Sequence, residues 1–258
     1  MSLIVTFILF FHSLLSAEIF EVKHFAEIKT YLLPETLIIL DIDDTLLVPK
    51  QMLGSDEWFQ RRLKYHEKEE AKDALEKTLA EWEAIRHLTE MELVEPGIET
   101  IIHQLTIDGY PIMCLTTQGL ALATRTQHQL LEHQIDISKC CPFAKDVYYT
   151  NNNHGLLFRN GILFTSGTHK GQALFGLLKT LNLTPQRILF VNDKRSHLLN
   201  VEETAKEKNI PFIGLRYGYS DERKAAYSEA IADYEWKHST FSHLLSDKEA
   251  KNLLEKTK

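Results

Sequence analysis

Three carboxylates stand within four residues where an apolar run ends: Leu37-Ile38-Ile39-Leu40 leads directly into Asp41-Ile42-Asp43-Asp44-Thr45. The run reads as a strand buried on both faces. Acids clustered at its end repel one another unless a cation neutralises them. A divalent ion with a preference for oxygen ligands, Mg2+ above all, is the natural partner. Asp41 and Asp43 are two residues apart, so strand alternation sends both to the same side. In an open α/β sheet the carboxyl ends of the strands are where ligands bind, which makes this a candidate metal-assisted site. The competing reading is a turn closed by Asx hydrogen bonds, and the rest of the chain must decide.

Three further polar stations follow. Thr116 ends the apolar run PIMCL, Lys170 opens the helical stretch KGQAL, and Asp193 follows ILFVN. Each falls at an expected strand end or helix start. At this point the chain resembles the haloacid dehalogenase superfamily, through LIILDIDDT, PIMCLTTQG, HKGQAL and ILFVND in that order, over about residues 37–217. The resemblance implies a Rossmann-like core with a helical cap, and a Mg2+-dependent phosphatase acting on a small phosphomonoester. It implies Asp41 as nucleophile, forming an aspartyl-phosphate, and Asp43 as general acid and then general base. Thr116 would donate its hydroxyl to a phosphoryl oxygen, and Lys170 would neutralise charge on the transferring group. Mg2+ would be held by Asp41, Asp43 through its backbone carbonyl, and Asp193. Thr117 is the poorer candidate by register, and a Thr116 that merely caps the next helix is the bland alternative.

The last motif departs from the family pattern. It reads Asn192-Asp193-Lys194-Arg195-Ser196-His197, with His197 and Leu198 where a second acid is usual. The metal then has fewer carboxylates, with Asn192, Ser196 or water filling in. Asp44 occupies a position where many members carry Gly and is read as structural. PFIGLRYG and GSDEWF look like an uncharacterised bacterial branch of the superfamily. Trp58 and Phe59 either line the pocket or pack the cap; Arg216 and Tyr217 are lesser candidates at the last strand end.

The elements that must position these groups are legible in outline. A lead-in helix is expected around Val22–Leu32. Strands are expected at 37–40, 111–115, 147–150, 156–165, 188–191 and 211–215, with Asn160-Gly161 as a hairpin turn. Helices between them argue a doubly wound parallel sheet with right-handed crossovers. Thr168 is the expected cap of the helix from Lys170 to Leu181. Ser55–Thr89 lacks Gly and Pro, and Leu75, Leu79, Trp82, Ile85 and Leu88 recur at helical spacing. The expected organisation is therefore a core over 18–48 and 93–220, a helical cap insertion over 49–92, and a charged helical tail over 221–258, docked through Ala226, Ile231, Tyr234 and Trp236.

With 258 residues the chain can hold one substantial core with an insertion. Its net charge of −7 favours neither nucleic acid nor an anionic membrane as partner. Residues 1–17 carry no Asp, Glu, Lys or Arg and end in Leu15-Ser16-Ala17, which reads as a secretory signal cleaved near Ala17. It lacks the usual basic start, and a short uncleaved anchor is the rival. The exported chain is expected to hold no stable membrane insertion. Cys114, Cys140 and Cys141 match neither a disulfide framework nor a zinc site. Two other functions compete with hydrolysis: phosphomutase chemistry on the same aspartates, and a catalytically lapsed fold that binds a partner through its insertion. A signalling receiver domain is disfavoured, because there the Lys follows every acid, whereas Lys170 precedes Asp193.

Overall fold

The computed structural model describes residues 17–69, 73–143, 145–151 and 154–256; apart from Ala17, the expected export signal lies outside them. The chain enters through β1 (Ala17–Val22) and a 3-10 turn (Phe25–Tyr31), then runs into β2 (Thr36–Leu40). The lead-in is therefore a strand and a tight turn, not one helix from Val22. Its backbone groups are satisfied by pairing in parallel with the last strand, Ala17 opposite Phe212 through Val22 opposite Tyr217.

After β2 come the short β3 (Leu47–Pro49), helices α1 (Asp56–Glu69) and α2 (Ala74–Leu88), and β4 (Met91–Leu93). β3 and β4 pair antiparallel, so the helical insertion leaves and returns through a two-stranded stem. The chain continues through α3 (Ile98–Ile107), β5 (Ile112–Thr116), α4 (Ala123–Glu132) and the short α5 (Ile137–Cys140). Next are β6 (Val147–Asn151), β7 (His154–Arg159), β8 (Ile162–Phe164), α6 (Lys170–Thr180) and β9 (Arg187–Asn192). α7 (Arg195–Glu207), β10 (Phe212–Tyr217), α8 (Asp221–Ala225), α9 (Glu229–His238) and α10 (Asp247–Lys256) complete it.

The result is an α/β fold around one eight-stranded sheet in the order β1-β10-β9-β2-β5-β8-β7-β6. Six neighbouring strands, from β1 to β8, run parallel, as the buried apolar runs require. The other edge turns antiparallel, because Asn160 and Gly161 both take positive φ, 51° and 80°, in the two-residue turn joining β7 to β8. β2 lies at the centre with every residue buried. The α6 cap is His169, whose ring accepts the Gln172 N–H at 3.3 Å, while the Thr168 hydroxyl donates to the Thr165 carbonyl instead.

A second, smaller core joins insertion to tail. Leu53, Trp58, Ile85 and Ala232 are buried together, with Trp82, Tyr227, Trp236 and Leu244 packed around them. Trp58 is wholly buried, its ring 5.4 Å from that of Trp236. Trp58 thus packs the helices and does not line the pocket, while Phe59 stands edge-on to Trp82 at 6.0 Å. The tail docks through Ala232 and Trp236; Tyr234 stacks on His238 of its own helix.

Candidate active site

Parallel strands that share a sheet end on the same edge, so β2, β5 and β9 deliver Asp41, Thr116 and Asn192-Asp193 side by side. Beyond β2 the chain turns tightly: the N–H groups of Leu46 and Leu47 both reach the Ile42 carbonyl, at 2.9 and 3.0 Å. Asp44 takes the left-handed conformation this turn needs, φ 58°. Gly serves there without cost, and Asp is among the few other residues that tolerate it.

Asp41 is buried. Its Oδ1 lies 2.7 Å from Lys170 Nζ and accepts the Ile42 N–H at 2.9 Å. Its Oδ2 accepts from Asn192 Nδ2 at 2.7 Å. The Asn192 amide is oriented by the Lys194 N–H, which donates to Asn192 Oδ1 at 2.7 Å, leaving only Nδ2 to face the carboxylate. Burial pushes the Asp41 carboxyl up to about 6, with Lys170 pulling it down and Asp193 and Asp43 pushing it up. Burial likewise lowers the Lys170 ammonium, opposed by Asp41.

Asp43 turns toward the insertion. Arg86 of α2 donates to its Oδ1 at 2.5 Å, and Gln118 Nε2 donates to its Oδ2 at 2.9 Å. Gln118 is in turn held by the Thr126 hydroxyl, which donates to Oε1 at 2.5 Å. The Arg86 guanidinium lies over the Trp82 ring, 5.0 Å from its centroid. Asp193 is buried, its N–H donating to Thr45 Oγ1 and its carbonyl accepting from Arg216 Nε at 3.0 Å. Its carboxylate pairs with Lys224 of α8, and the same ammonium stands 3.9 Å from Asp44 Oδ2. Burial raises the Asp44 carboxyl to about 8, against the pull of Lys224. Lys194 reaches back to Asp56 in the first turn of α1 at 2.8 Å.

These groups surround a cavity of ≈ 50 Å³ lined by Asp41, Asp43, Asp193, Arg86, Thr117 and His197 among others. The volume suits a group the size of a phosphoryl with a few waters. Thr117 lines it, whereas Thr116 is fully buried with Oγ1 accepting the Gln118 N–H at 3.1 Å. Lys170 is buried at the end of its ion pair with Asp41. Arg216 binds Asp221 at 2.5 and 2.7 Å, and Tyr217 donates to Glu95 at 2.5 Å, so both support the site from outside. The sequence reading missed Arg86, Gln118 and Lys224 as parts of the site. Their only signal is that each is a polar residue in a helix or turn, which the chain repeats many times.

Two observations bear on a divalent cation. His197 Nδ1 is buried without a hydrogen-bond partner, 4.0 Å from Asp41 Oδ2, and its ring is driven down to about 2 by burial and by Lys170 and Lys194. Lys224 already places a positive charge on Asp193. The oxygen donors on offer to a hard cation are the Asp41 and Asp193 carboxylates, each already paired with an ammonium, while His197 adds a nitrogen. Among the described residues no three His, Cys, Asp or Glu side chains stand close enough together to hold an ion in this arrangement.

Comparison with known proteins places the chain as follows. The family described as "Protein of unknown function (DUF2608)" matches residues 21–251. A "Putative outer membrane protein" of Chlamydia pneumoniae is 26% identical over 231 residues, covering 85% of this chain and 84% of that protein. One of the same description from Chlamydia trachomatis is 25% identical over 225 residues, covering 84% and 83%. Among solved structures, the chain is similar to a haloacid dehalogenase-like hydrolase from Streptococcus pneumoniae. That likeness has a TM-score of 0.42 and 15% identity, over 69% of this chain and 93% of that one. No helix among the described residues is long and apolar enough to cross a membrane.

Proposed function

The chain belongs to the DUF2608 family, and we propose that it is a Mg2+-dependent phosphomonoester hydrolase working through Asp41. The observation that carries this reading is the buried Asp41–Lys170 pair at 2.7 Å at the end of the central strand, with Asp41 lining a polar cavity. A buried ion pair is an expensive way to stabilise a fold, whereas a charged nucleophile oriented by a cation is what phosphoryl transfer requires. Burial raises the Asp41 carboxyl, and the Lys170 ammonium 2.7 Å away favours its ionised form, the form that attacks phosphorus.

Attack by Asp41 on phosphorus forms an aspartyl-phosphate and releases the alcohol oxygen. Asp43 supplies the proton to that oxygen, then takes one from the water that cleaves the acyl phosphate. Lys170 balances charge on the phosphoryl oxygens. Thr116, whose Oγ1 accepts the Gln118 N–H and so keeps its own proton to give, is the hydroxyl donor to a phosphoryl oxygen, next to Thr117, which lines the cavity. Mg2+ held by Asp41, Asp193 and the Asp43 carbonyl would shield the anionic phosphoryl group from the attacking carboxylate. Arg86, stacked on Trp82 and reaching into the cavity from the insertion, meets the part of the substrate beyond the phosphate.

Export to the periplasm or beyond is the accompanying reading, supported by the apolar N-terminus and by the outer-membrane description of the chlamydial relatives. The substrate is then a small phosphorylated molecule outside the cytoplasm. Hydrolysis of p-nitrophenyl phosphate tests the activity. It should need Mg2+ and should vanish in Asp41→Asn. A wild type no faster than Asp41→Asn across several divalent metals would leave a binding protein instead. N-terminal sequencing of the native protein tests export, with a start near Glu18 expected and an intact Met1 against it.

A further inference from the structure

The cation on Asp193 comes from outside the sheet. Asp193 is 3% exposed, and a carboxylate so enclosed must be compensated. Lys224 does this from the C-terminal tail, pairing with Asp193 Oδ2 and lying 3.9 Å from Asp44 Oδ2, so one ammonium serves two buried acids. Its position is set from both sides. Ser220 Oγ donates to the Asp44 carbonyl at 3.0 Å, and Arg216 grips Asp221 at the start of α8. Arg223 binds the Pro49 carbonyl and, at 2.7 Å, Glu92, on the two strands of the stem that carries the insertion.

An ammonium and a divalent ion brought to the same carboxylate repel one another strongly within a few ångströms, so Lys224 on Asp193 raises the cost of placing a second cation there. We propose that Lys224 is a built-in counter-ion that competes with the divalent cation for Asp193, so that binding the cation expels the Lys224 ammonium from the pocket. This rests on the reading of Asp41 and Asp193 as ligands of that cation. The competition makes the tail part of the site's control, because the cation concentration at which the pocket loads is set by how firmly α8 holds Lys224. Coupling between two binding events on one protein commonly amounts to about 5–150-fold in affinity.

The test measures cation binding directly on the full chain, with Mn2+ as probe, by calorimetry or by its paramagnetic resonance signal. Lys224→Met should bind Mn2+ at least about ten-fold more tightly than wild type, Lys224→Arg no more tightly, and Asp193→Asn not at all. In the wild type, acylation of Lys224 by an amine-reactive reagent, read by mass spectrometry, should rise when Mn2+ or Mg2+ is added. That second measurement stands even if Lys224→Met fails to fold. Equal or weaker binding by a folded Lys224→Met, or Lys224 acylation unmoved by saturating cation, overturns the proposal while leaving Asp193 as a ligand. Absence of Mn2+ binding in both wild type and Lys224→Met overturns it together with the metal-assisted reading.

Discussion

Arg86 of α2 donates to Asp43 Oδ1 at 2.5 Å, and this contact ties the helical insertion to the strand end that carries Asp41. The guanidinium is almost fully buried while the carboxylate is partly open to solvent. Replacement by Met keeps much of the packing on Trp82 and removes the charge. Arg86→Met should cost about 1.5–3 kcal/mol, the range for a hydrogen bond to a charged group. A cycle with Asp43→Asn should show coupling of the same sign by urea denaturation, and additive effects would mean that the contact is not made in solution. For hydrolysis, a raised KM with kcat largely retained would place Arg86 on the substrate and not on the reacting atoms.

The Asp41–Lys170 pair can be separated from its catalytic role by stability alone. Lys170→Met leaves a buried carboxylate without its cation and should destabilise by about 3–5 kcal/mol at neutral pH. Asp41→Asn added to it removes the stranded charge, so the double variant should be more stable than Lys170→Met. Denaturant midpoints of the three variants decide. A double variant less stable than Lys170→Met would show that packing, not charge, holds this part of the core.

The residues legible in the sequence are those whose position follows from a local pattern. Asp41, Thr116 and Asp193 each end a short apolar run, and Lys170 opens a helix, so their placement needs only the rule that parallel strands share an edge. Arg86 and Lys224 were hidden for the opposite reason. Lys224 stands between Arg223 and two alanines in a charged segment, and nothing local separates a lysine that enters a pocket from one in water. Its partner is 31 residues away in sequence. β1 was hidden in another way: its alternation is short and broken by Glu18 and Glu21, and its hydrogen bonds depend on β10, almost the whole chain away. The Thr116–Thr117 pair shows a limit of register arguments, since the turn after β5 buries the first hydroxyl against the Gln118 N–H and presents the second residue to the cavity.

Gly171 follows Lys170 and marks where α6 meets α7. A Cβ there would collide with the Asn200 carbonyl and the Thr204 hydroxyl. Gly171→Ala should therefore push α6 away from α7 and lower stability by about 1–3 kcal/mol, the cost of overpacking, even though Ala is the better helix former. Thermal melts test this. A variant as stable as wild type would mean that the helices have room to part.

Trp58 and Trp236 hold the insertion to the tail with ring centroids 5.4 Å apart. Truncating Trp58 to Ala should cost about 3–5 kcal/mol if both modules unfold with the core. Limited proteolysis should then cut first within residues 229–256. Loss of stability without new cleavage in the tail would show that the tail is anchored by α8 alone.

Glu235 lies in that same small core, fully buried, accepting the Leu53 N–H at 2.8 Å. Burial raises its carboxyl to about 9, with the neighbouring Asp247 adding to the effect. In the unfolded chain a glutamate titrates near ~4.3. Between those two values the folded state keeps a proton that the unfolded state has lost, so stability falls as pH rises through that window. Glu235→Gln keeps an acceptor for Leu53 and removes the titration. It should match wild type near pH 4 and become progressively more stable than it toward pH 9. The gap should widen by roughly 2–4 °C in Tm for each kcal/mol of linkage at this chain size. Because Asp41 and Asp44 are also raised, to about 6 and about 8, the variant should keep part of the downward slope. A difference between the two proteins that stays constant from pH 4 to pH 9 would mean that Glu235 titrates as it does in the unfolded chain.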